Sequence, residues 1–489
     1  MNDLTDEGKS AMTTPTDKTK TDLAFTSATE QAELIRQKKV SPVELVKIYL
    51  ERIEKLNPAL LAYVTVYPEK ALEAAHRAEN ALAKKEADLP PFHGVPISIK
   101  DLDHVAGMRT TFSSKVFADY IATEDAAYVR RIKEAGFIIL GKTNTPEFGT
   151  SLTVSELNGV CRNPWNTELS AAGSSGGAGA AVAAGLCPVA HGSDGGGSIR
   201  LPSSWCGLVG LKPSRGRISL APGLGELIAG HAVEGPMTRT VRDCAALLDV
   251  MAGYETGDPY WAPPPHRPFV EEVGAAPGKL RVALTTTAQA GAIIDPVCAA
   301  AARDTARLLE SLGHIVEEAT PEWATADVMR ATVALWAPII ASFGIEEKDI
   351  DRIEPRNRQL FEAGKAMSAN DYVKALNTVH TFYRRFIKFW DWHDLLLSPV
   401  SGVLPLPVKT VVQFTASNFS ETMKNSPMFT AAANASGQPA ISLPLEWTSD
   451  GLPIGIQLMG RPADEATILR VSAQLEEARP WAHRRPPVS

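Results

Sequence analysis

Two glycine- and serine-rich loops stand close together in residues 171–219. The first is GSSGG at residues 173–177, and the second is SDGGGSIR at residues 193–200. Glycines permit positive φ angles and a close approach of the backbone to a ligand. Consecutive N–H groups in such loops can point into one concave spot and hold an oxyanion. The stretch therefore predicts a catalytic or binding site built from two tight loops.

A flexible Gly/Ser linker would have a similar composition. Apolar residues nevertheless surround these glycines: Val182, Leu186, Val189, Leu208, Val209 and Leu211. A linker has no use for such residues, so the pattern favours loops that lie on a packed helix and strand.

The stretch resembles the signature of the amidase signature family, which reads GGSSGG, then G-S/T-D-x-G-G-S-I-R, then FCG-V-x-G-x-K-P-T/S-x-G-R. Upstream the family carries G-V-P-x-x-x-K-D, and this chain has GVPISIKD at residues 94–101. The resemblance covers nearly the whole chain from about Leu23. It implies one large α/β domain over residues 22–489, with residues 171–219 as its core. Its mixed, twisted sheet would have about eleven strands sandwiched by helices.

The resemblance also implies a Ser–cisSer–Lys relay. Ser198 matches the family's nucleophile, Ser174 matches the proton-relaying serine that a cis peptide bond holds, and Lys100 matches the terminal base. Amide hydrolysis requires a nucleophile, a base and stabilisation of the oxyanion. A lysine can accept a proton only when it is neutral, so we expect the site to lower its pKa.

The second loop is expected to supply the oxyanion hole through the backbone N–H groups of Gly195, Gly196, Gly197 and Ser198. The resemblance gives no metal and no cofactor a role in this chemistry.

Three further residues are expected to support the loops: Ser175, Asp194 and Arg200. Asp194 and Arg200 carry opposite charges and flank the second loop, where they can brace it. The chain departs from the family at Gly195, where Thr or Ile is usual, and at Ala172, which replaces a common Gly. The glycine predicts a more mobile oxyanion loop.

One alternative is a different hydrolase class. GSSGG also matches G-x-S-x-G, the nucleophile elbow of α/β-hydrolase esterases, with Ser175 as the nucleophile. That mechanism needs a downstream acid and histidine, such as Asp243 and His380, and leaves Lys100 without a role. His191 lies near a predicted strand end and is typical of a packed histidine.

A second alternative keeps the triad but makes the chain the amidase subunit of a tRNA-dependent amidotransferase. The helical, aromatic region at residues 321–392 and the segment GYETGDPYWAPPP argue against this alternative. That segment, together with APGLGELIAGHAVEGPM, is more similar to stand-alone amidases, including those acting on nylon-type oligomers, anilides and urethanes. We therefore expect hydrolysis of the C–N bond of a small apolar or aryl amide, with carbamates or esters as further substrates. Aromatic residues in the region 321–392 predict a helical cap, which fills its own core or lines an acyl pocket.

The bulk properties exclude several partners. A composition of 44% apolar and 21% charged residues is typical of globular proteins, and a net charge of −7 argues against nucleic acid. No apolar run predicts a signal peptide or a membrane span, and residues 1–21 predict a disordered tail. The five cysteines have no metal-ligand spacing and indicate a reducing compartment, so we expect a cytoplasmic protein. A homodimer is compatible with the sequence.

Local patterns place the motifs on an alternation of strands and helices, which favours an α/β fold. Ser41, Pro42 and Glu44 predict a capped helix start. A short buried strand at residues 96–99 should deliver Lys100 near its end. Two strands near residues 440–445 and 453–459 should form a hairpin.

Overall fold

The computed structural model describes residues 17–84, 88–289, 292–416 and 428–489. Within these ranges eleven strands form one sheet in the order β1-β3-β2-β8-β10-β9-β14-β15-β13-β11-β12, and β4–β7 form two small ribbons. The strands are β1 (Tyr63–Val66), β2 (Pro96–Lys100), β3 (Ile138–Thr143), β4 (Val154–Ser155), β5 (Gly159–Val160), β6 (Arg162–Asn163), β7 (Asn166–Ser170), β8 (Val189–Asp194), β9 (Val209–Lys212), β10 (Val233–Thr238), β11 (Arg281–Leu284), β12 (Ile315–Glu318), β13 (Leu395–Pro399), β14 (Ala440–Trp447) and β15 (Pro453–Met459).

Helices flank the sheet. They are α1 (Asp17–Phe25), α2 (Ala28–Arg36), α3 (Pro42–Leu60), α4 (Pro68–Ala83), α5 (Ala127–Glu134), α6 (Gly176–Ala183), α7 (Arg200–Cys206), α8 (Val241–Met251), α9 (Pro296–Ser311), α10 (Ala326–Ala334), α11 (Ala337–Ala341), α12 (Pro355–Ala366), α13 (Ala369–Phe386), α14 (Val408–Val411), α15 (Ala431–Ser436) and α16 (Glu465–Ala478). The predicted α/β fold with a mixed sheet is confirmed.

The centre of the sheet is buried on both faces. Every residue of β2, β3, β9, β10, β13 and β15 is buried. Strands covered on both sides carry apolar runs rather than an alternating pattern. β2 runs parallel to both β3 and β8, whereas β8 is antiparallel to β10. The sheet is therefore mixed, with both parallel and antiparallel neighbours around β8.

Local sequence signals explain where several elements begin. The Ser41 hydroxyl accepts hydrogen bonds from the N–H groups of Val43 and Glu44, and the Glu44 side chain reaches back to the Ser41 N–H. This capping box and Pro42 at the first position start α3 as predicted. The predicted hairpin is confirmed by the antiparallel pairing of β14 and β15.

The predicted disordered tail is wrong for residues 17–21, because α1 begins at Asp17. Its last turn is held by the body of the protein: Ala24 is 1% exposed, and the Ala24 carbonyl accepts a hydrogen bond from Tyr49 Oη at 3.1 Å. Burial of apolar side chains compensates for the polar composition that suggested disorder. Residues 1–16 lie outside the described residues.

The region predicted as a helical cap contains α10–α13. Several of its aromatic residues form a buried cluster with one another, including Phe382, Tyr383, Phe386 and Trp390. The rings of Phe382 and Tyr383 meet edge to face at 5.0 Å, an arrangement that aromatic pairs favour. These rings therefore fill the core of the cap.

The cysteines and the helices of the described ranges complete the description of the fold. All five cysteines lie within the described ranges, and each is a buried free thiol. Among the described residues, no helix combines the length and the apolar character that crossing a membrane would require.

Candidate active site

Two neighbouring parallel strands bring the upstream lysine to the second loop. β2 pairs with β8 through Ser98 and Ala190, so the carboxyl ends of both strands lie at one edge of the sheet. Lys100 is the last residue of β2, and the loop at residues 195–199 directly follows β8. Ligands of α/β sheets commonly bind beyond the carboxyl ends of the strands.

The first loop lies against the second. The Ser175 N–H donates a hydrogen bond to the Ser198 carbonyl at 3.1 Å, and the peptide bond between Gly173 and Ser174 is cis, the form that the resemblance implies. Helix α6 starts directly afterwards. A side chain at Gly177 would overlap the backbone of Asn144, so only glycine allows this approach.

Lys100 is completely buried and contacts Ser174. Its Nζ donates to Ser174 Oγ at 2.7 Å, to Ser193 Oγ at 2.9 Å and to the Ser193 carbonyl at 3.4 Å. Burial lowers the pKa of Lys100 to about 8, although Asp103, Glu234 and Asp194 oppose this shift. The neutral amine that the relay requires is thus accessible at mildly alkaline pH.

Ser198 is half-buried at the turn before α7. Within the described part of the chain, its hydroxyl forms no hydrogen bond with Ser174 or any other side chain. The structure therefore joins Lys100 to Ser174, and it places the Ser198 backbone against Ser175. The step from Ser174 to Ser198 stays a prediction.

Fewer than the four predicted N–H donors of the oxyanion hole are available in this conformation. The Gly197 N–H already donates to Asp194 Oδ1 at 2.7 Å, so it is not available to a substrate in this conformation. The N–H groups of Gly195, Gly196 and Ser198 have no hydrogen-bond partner among the residues described. These three remain the candidate donors for a developing oxyanion.

Asp194 and Arg200 brace this loop as a buried ion pair. Arg200 Nη2 lies 2.9 Å from Asp194 Oδ1, and the guanidinium also donates to Asn434 Oδ1 at 2.7 Å and to Gln457 Oε1 at 2.8 Å. Burial alone would raise the pKa of Asp194, but Arg200 outweighs it and holds the pKa well below its usual value. A buried carboxylate needs this many partners to remain charged.

Gly195 leaves a space that a cap residue fills. A Cβ at this position would lie 3.0 Å from Trp336 Cη2 and 3.1 Å from Ile228 Cδ1. Trp336, between α10 and α11, therefore lies against the backbone of the candidate oxyanion loop. An aromatic ring thus occupies the space beside Gly195. The greater mobility expected from this glycine stays a prediction.

The second departure from the family pattern is also visible. Ala172 is fully buried and has a φ of +63°, a region that favours glycine. This conformation destabilises a residue that has a Cβ by about 1 kcal/mol relative to the right-handed one.

A group of buried polar residues next to Lys100 was not predicted from the sequence. It contains Ser193, Asp103, His191 and Glu234: Glu234 lies opposite Ser193 in the pairing of β10 with β8, and its carboxylate contacts His191 Nε2 at 2.8 Å. Tyr128 Oη donates to Asp103 Oδ1 at 2.5 Å. The available signal was Ser193 and His191 at alternate positions of one strand, which places them on the same face.

The three residues of the nucleophile-elbow alternative are not joined by hydrogen bonds among the described residues. The Ser175 hydroxyl donates to the Ser193 carbonyl at 3.2 Å, while Asp243 accepts from the N–H groups of Ala28 and Thr29 at the start of α2. His380 belongs to α13 in the cap. Among the described residues, neither Asp243 nor His380 forms a hydrogen bond with Ser175.

An apolar cavity of about 280 Å³ lies beside the polar group. Its walls include Leu102, Phe112, Phe148, Leu227 and Phe343, and its polar lining includes Ser193, Asp103 and Glu234. Because Ser193 also contacts Lys100, the cavity lies next to the predicted base.

Known proteins with the same organisation were found by comparison. The amidase family model matches residues 44–469. The 6-aminohexanoate-cyclic-dimer hydrolase of Paenarthrobacter ureafaciens is 39% identical over 482 residues, covering 94% of this chain and 96% of that protein. An acylamidase of Rhodococcus erythropolis is 36% identical over 482 residues, covering 96% of this chain and 98% of that protein.

The fold comparison agrees. A solved structure of 6-aminohexanoate cyclic dimer hydrolase complexed with substrate has a TM-score of 0.86 and 37% identity, covering 95% of this chain and 99% of that one. This chain belongs to the amidase signature family, and it is a hydrolase that acts on amides.

Proposed function

We propose that this chain hydrolyses the C–N bond of a small apolar or aryl amide through an acyl-enzyme on Ser198. The observation that carries the proposal is the 2.7 Å hydrogen bond between Lys100 Nζ and Ser174 Oγ, made by a lysine without solvent exposure. A buried lysine needs a strong reason to lie beside two serine hydroxyls, because its desolvation is costly. A role as the base of the relay supplies that reason.

Each proton and bond in the proposed reaction has a defined destination. Ser198 Oγ attacks the carbonyl carbon, its proton passes to Ser174 Oγ, and the Ser174 proton passes to neutral Lys100 Nζ. The carbonyl oxygen becomes an oxyanion that the N–H groups of Gly195, Gly196 and Ser198 would stabilise. The C–N bond then breaks as the proton returns to the leaving nitrogen. Water attacks the resulting ester, releases the acid and restores Ser198.

Two observations support the proposed substrate class, namely the lining of the cavity and the names of the relatives. The cavity beside Ser193 is mainly apolar and aromatic, which favours aliphatic or aryl groups. The related proteins are named for a cyclic amide of 6-aminohexanoate and for acylamides, so cyclic and linear amides are both candidates. Carbamates, including urethanes, and esters can form the same kind of acyl-enzyme and are included in the proposal.

The compartment is part of the proposal. We propose that the protein works in the cytoplasm, because its five cysteines are buried free thiols, which suits a reducing environment.

A fluorophosphonate probe tests the mechanism directly. The probe should label Ser198, identified by mass spectrometry of the digested protein, and Ser198→Ala should abolish both labelling and amide hydrolysis. The matched control is Ser175→Ala, which leaves the proposed nucleophile in place. An adduct on Ser175 would instead support the elbow mechanism and refute this one.

A further inference from the structure

The loop between β8 and α7 presents N–H groups whose directions depend on the carbonyl groups beside them. Residues 194–198 are joined by trans peptide bonds. In a planar trans peptide, the carbonyl of one residue and the N–H of the next point in opposite directions. A partner that holds a carbonyl of this loop therefore also fixes the direction of the N–H group that follows it.

Two side chains from one short helix hold carbonyl groups of the loop. Thr430 Oγ1 donates a hydrogen bond to the Gly196 carbonyl at 2.5 Å. Asn434 Nδ2 donates to the Asp194 carbonyl at 2.8 Å. Thr430 directly precedes α15 and Asn434 lies one turn further along, so the two side chains share a face of the helix. Both residues are buried, and this face of α15 therefore lies against the loop.

The peptide unit between Gly196 and Gly197 is held at both ends. Its carbonyl accepts from Thr430, and its N–H donates to Asp194 Oδ1 at 2.7 Å. Thr430 also packs on the backbone of Gly197, where an added Cβ would overlap its hydroxyl. This unit therefore cannot rotate without breaking two hydrogen bonds.

The peptide unit between Asp194 and Gly195 is held at its carbonyl end only. The Gly195 N–H at its other end has no hydrogen-bond partner among the residues that the structure describes, so it points away from Asn434 and stays available. The other two candidate donors are the N–H groups of Gly196 and Ser198. They belong to the peptide units immediately before and after the one that Thr430 holds.

The sequence of the loop makes such outside support necessary. Three consecutive glycines, at residues 195–197, have wide backbone freedom. Stabilising an oxyanion requires donors that already point at the position where the negative charge develops. Hydrogen bonds from a neighbouring helix restrict the glycines and supply this order.

We propose that Thr430 and Asn434 are positioning residues of the candidate oxyanion loop. By holding the Gly196 and Asp194 carbonyls, they fix the directions of the N–H groups that receive the oxyanion, and neither side chain contacts the substrate. The inference rests on the proposed amidase function and concerns the same site. It gives α15 a part in the reaction, although Thr430 follows Gly196 by 234 residues in the chain.

The competing explanation is that these hydrogen bonds only stabilise the fold. Asn434 is a poor residue for deciding this, because it also contacts the Asp194 carboxylate and accepts from Arg200. The Thr430 hydroxyl is a better one, since its bond to Gly196 is the single hydrogen bond it makes within the described ranges. Thr430 therefore carries the test.

Replacement of Thr430 separates the hydroxyl from the shape of the side chain. Thr430→Val keeps the shape and removes the donor, and it should lower kcat for heptanoyl p-nitroanilide about 10- to 100-fold with KM changed by less than about twofold. Thr430→Ser keeps the donor and should retain most of the wild-type kcat. An unchanged kcat in Thr430→Val, or equal losses in both variants, would overturn the proposal.

A matched control and a substitute variant complete the kinetic test. Thr378→Val removes a hydroxyl that donates to a backbone carbonyl on the exposed side of α13, and it should leave kcat unchanged. If Thr430→Val does not fold, Thr430→Cys replaces it, because a thiol is a weaker donor of similar size. Its kcat should then lie below that of Thr430→Ser, and equal values would overturn the proposal.

Inhibitor binding tests the oxyanion loop without turnover. Hexyl trifluoromethyl ketone forms a tetrahedral oxyanion with a serine nucleophile, whereas heptanoic acid resembles the product. Thr430→Val should weaken binding of the ketone by the same factor as kcat/KM and leave binding of the acid within about twofold. Equal weakening of both ligands would mean a general loss of structure and would overturn the positioning role.

The results also separate this inference from the proposed function. Amide hydrolysis by the wild-type protein, with the same kcat in Thr430→Val, refutes the positioning role alone. Tighter ketone binding by the wild type than by Thr430→Val, without hydrolysis of any amide, keeps the positioning role and refutes the proposed function. A wild-type protein that neither hydrolyses amides nor binds the ketone refutes both.

Discussion

The two loops at residues 171–219 and the cap at residues 321–392 are stabilised in different ways. In the loops, buried polar groups such as Asp194 and Arg200 each have several partners at defined distances. In the cap, Phe382, Phe386 and Trp390 pack through their rings. Hydrogen-bonded networks depend on specific atoms, whereas apolar packing depends mainly on volume and shape. We therefore expect changes in the loops to affect the chemistry and changes in the cap to affect substrate choice or stability.

The cap reaches the loops at Trp336, which lies against Gly195 of the candidate oxyanion loop. Another cap residue, Phe343, lies with its ring 4.7 Å from that of Phe148, which lines the cavity outside the two loops. The aromatic residues of the buried cluster fill the core of the cap, whereas the interpretation that others line an acyl pocket stays a prediction. The following predictions test how strictly chemistry and substrate choice are divided between loops and cap.

The largest effect is expected at the base. Lys100→Ala should lower kcat by about 100- to 10,000-fold, the usual contribution of acid–base catalysis. Steady-state kinetics with a p-nitroanilide would measure it, with circular dichroism as a check on folding. Lys39→Ala, an exposed lysine, is the control. Full activity in Lys100→Ala would refute the relay.

The buried ion pair should matter nearly as much, through stability. Arg200→Met leaves the Asp194 carboxylate buried without its charge partner, which typically costs about 3–5 kcal/mol. Urea unfolding would measure the loss. Arg330→Met, which breaks an exposed pair with Asp327, should cost less than about 1 kcal/mol. Similar values for both variants would contradict the difference between the regions.

The pH dependence should come from Lys100, which lies against the loops, and not from the cap. Because the pKa of Lys100 is lowered to about 8, the lysine is protonated and inactive as a base below that pH. We expect kcat/KM to fall about tenfold for each pH unit on the acid side, as for one titrating base. A profile of kcat/KM against pH measures this. A flat profile from about pH 6 to 9 would exclude Lys100 as the titrating base.

A cap residue should change selectivity. Trp336→Ala opens space beside Gly195, so the ratio of kcat/KM for a bulky over a small acyl group should rise about tenfold. Phe382→Ala is the matched control: it removes a core ring of the cap and should lower stability by about 3–5 kcal/mol without changing that ratio. Equal changes of the ratio in both variants would mean that the cap acts as a whole.

The smallest effect is expected at Ala172. Ala172→Gly relieves a left-handed conformation but adds freedom to the unfolded chain, so the two contributions nearly cancel. The free energy of unfolding should change by less than about 1 kcal/mol, measured in urea. A larger loss would show that the buried methyl group is needed for packing in the first loop.

Much of the fold and part of the site could be predicted from the sequence. The glycine pattern of the two loops, the start of α3 at Ser41 and the strand before Lys100 are local signals that the structure reproduces. Local signals fail where long-range contacts decide. The polar segment around Asp17 predicts disorder, yet α1 forms because its apolar last turn packs on α3.

The sequence by itself determined which serines and glycines lie in the two loops, and which strand carries the lysine. Only the tertiary structure decided how these groups are used. The bond from Gly197 to Asp194, the contact of Trp336 with Gly195 and the grouping of Asp103, His191 and Glu234 join distant parts of the chain or depend on loop geometry. Strand pairing and burial create these contacts together with the pKa shifts that follow from them, and no local pattern encodes either one.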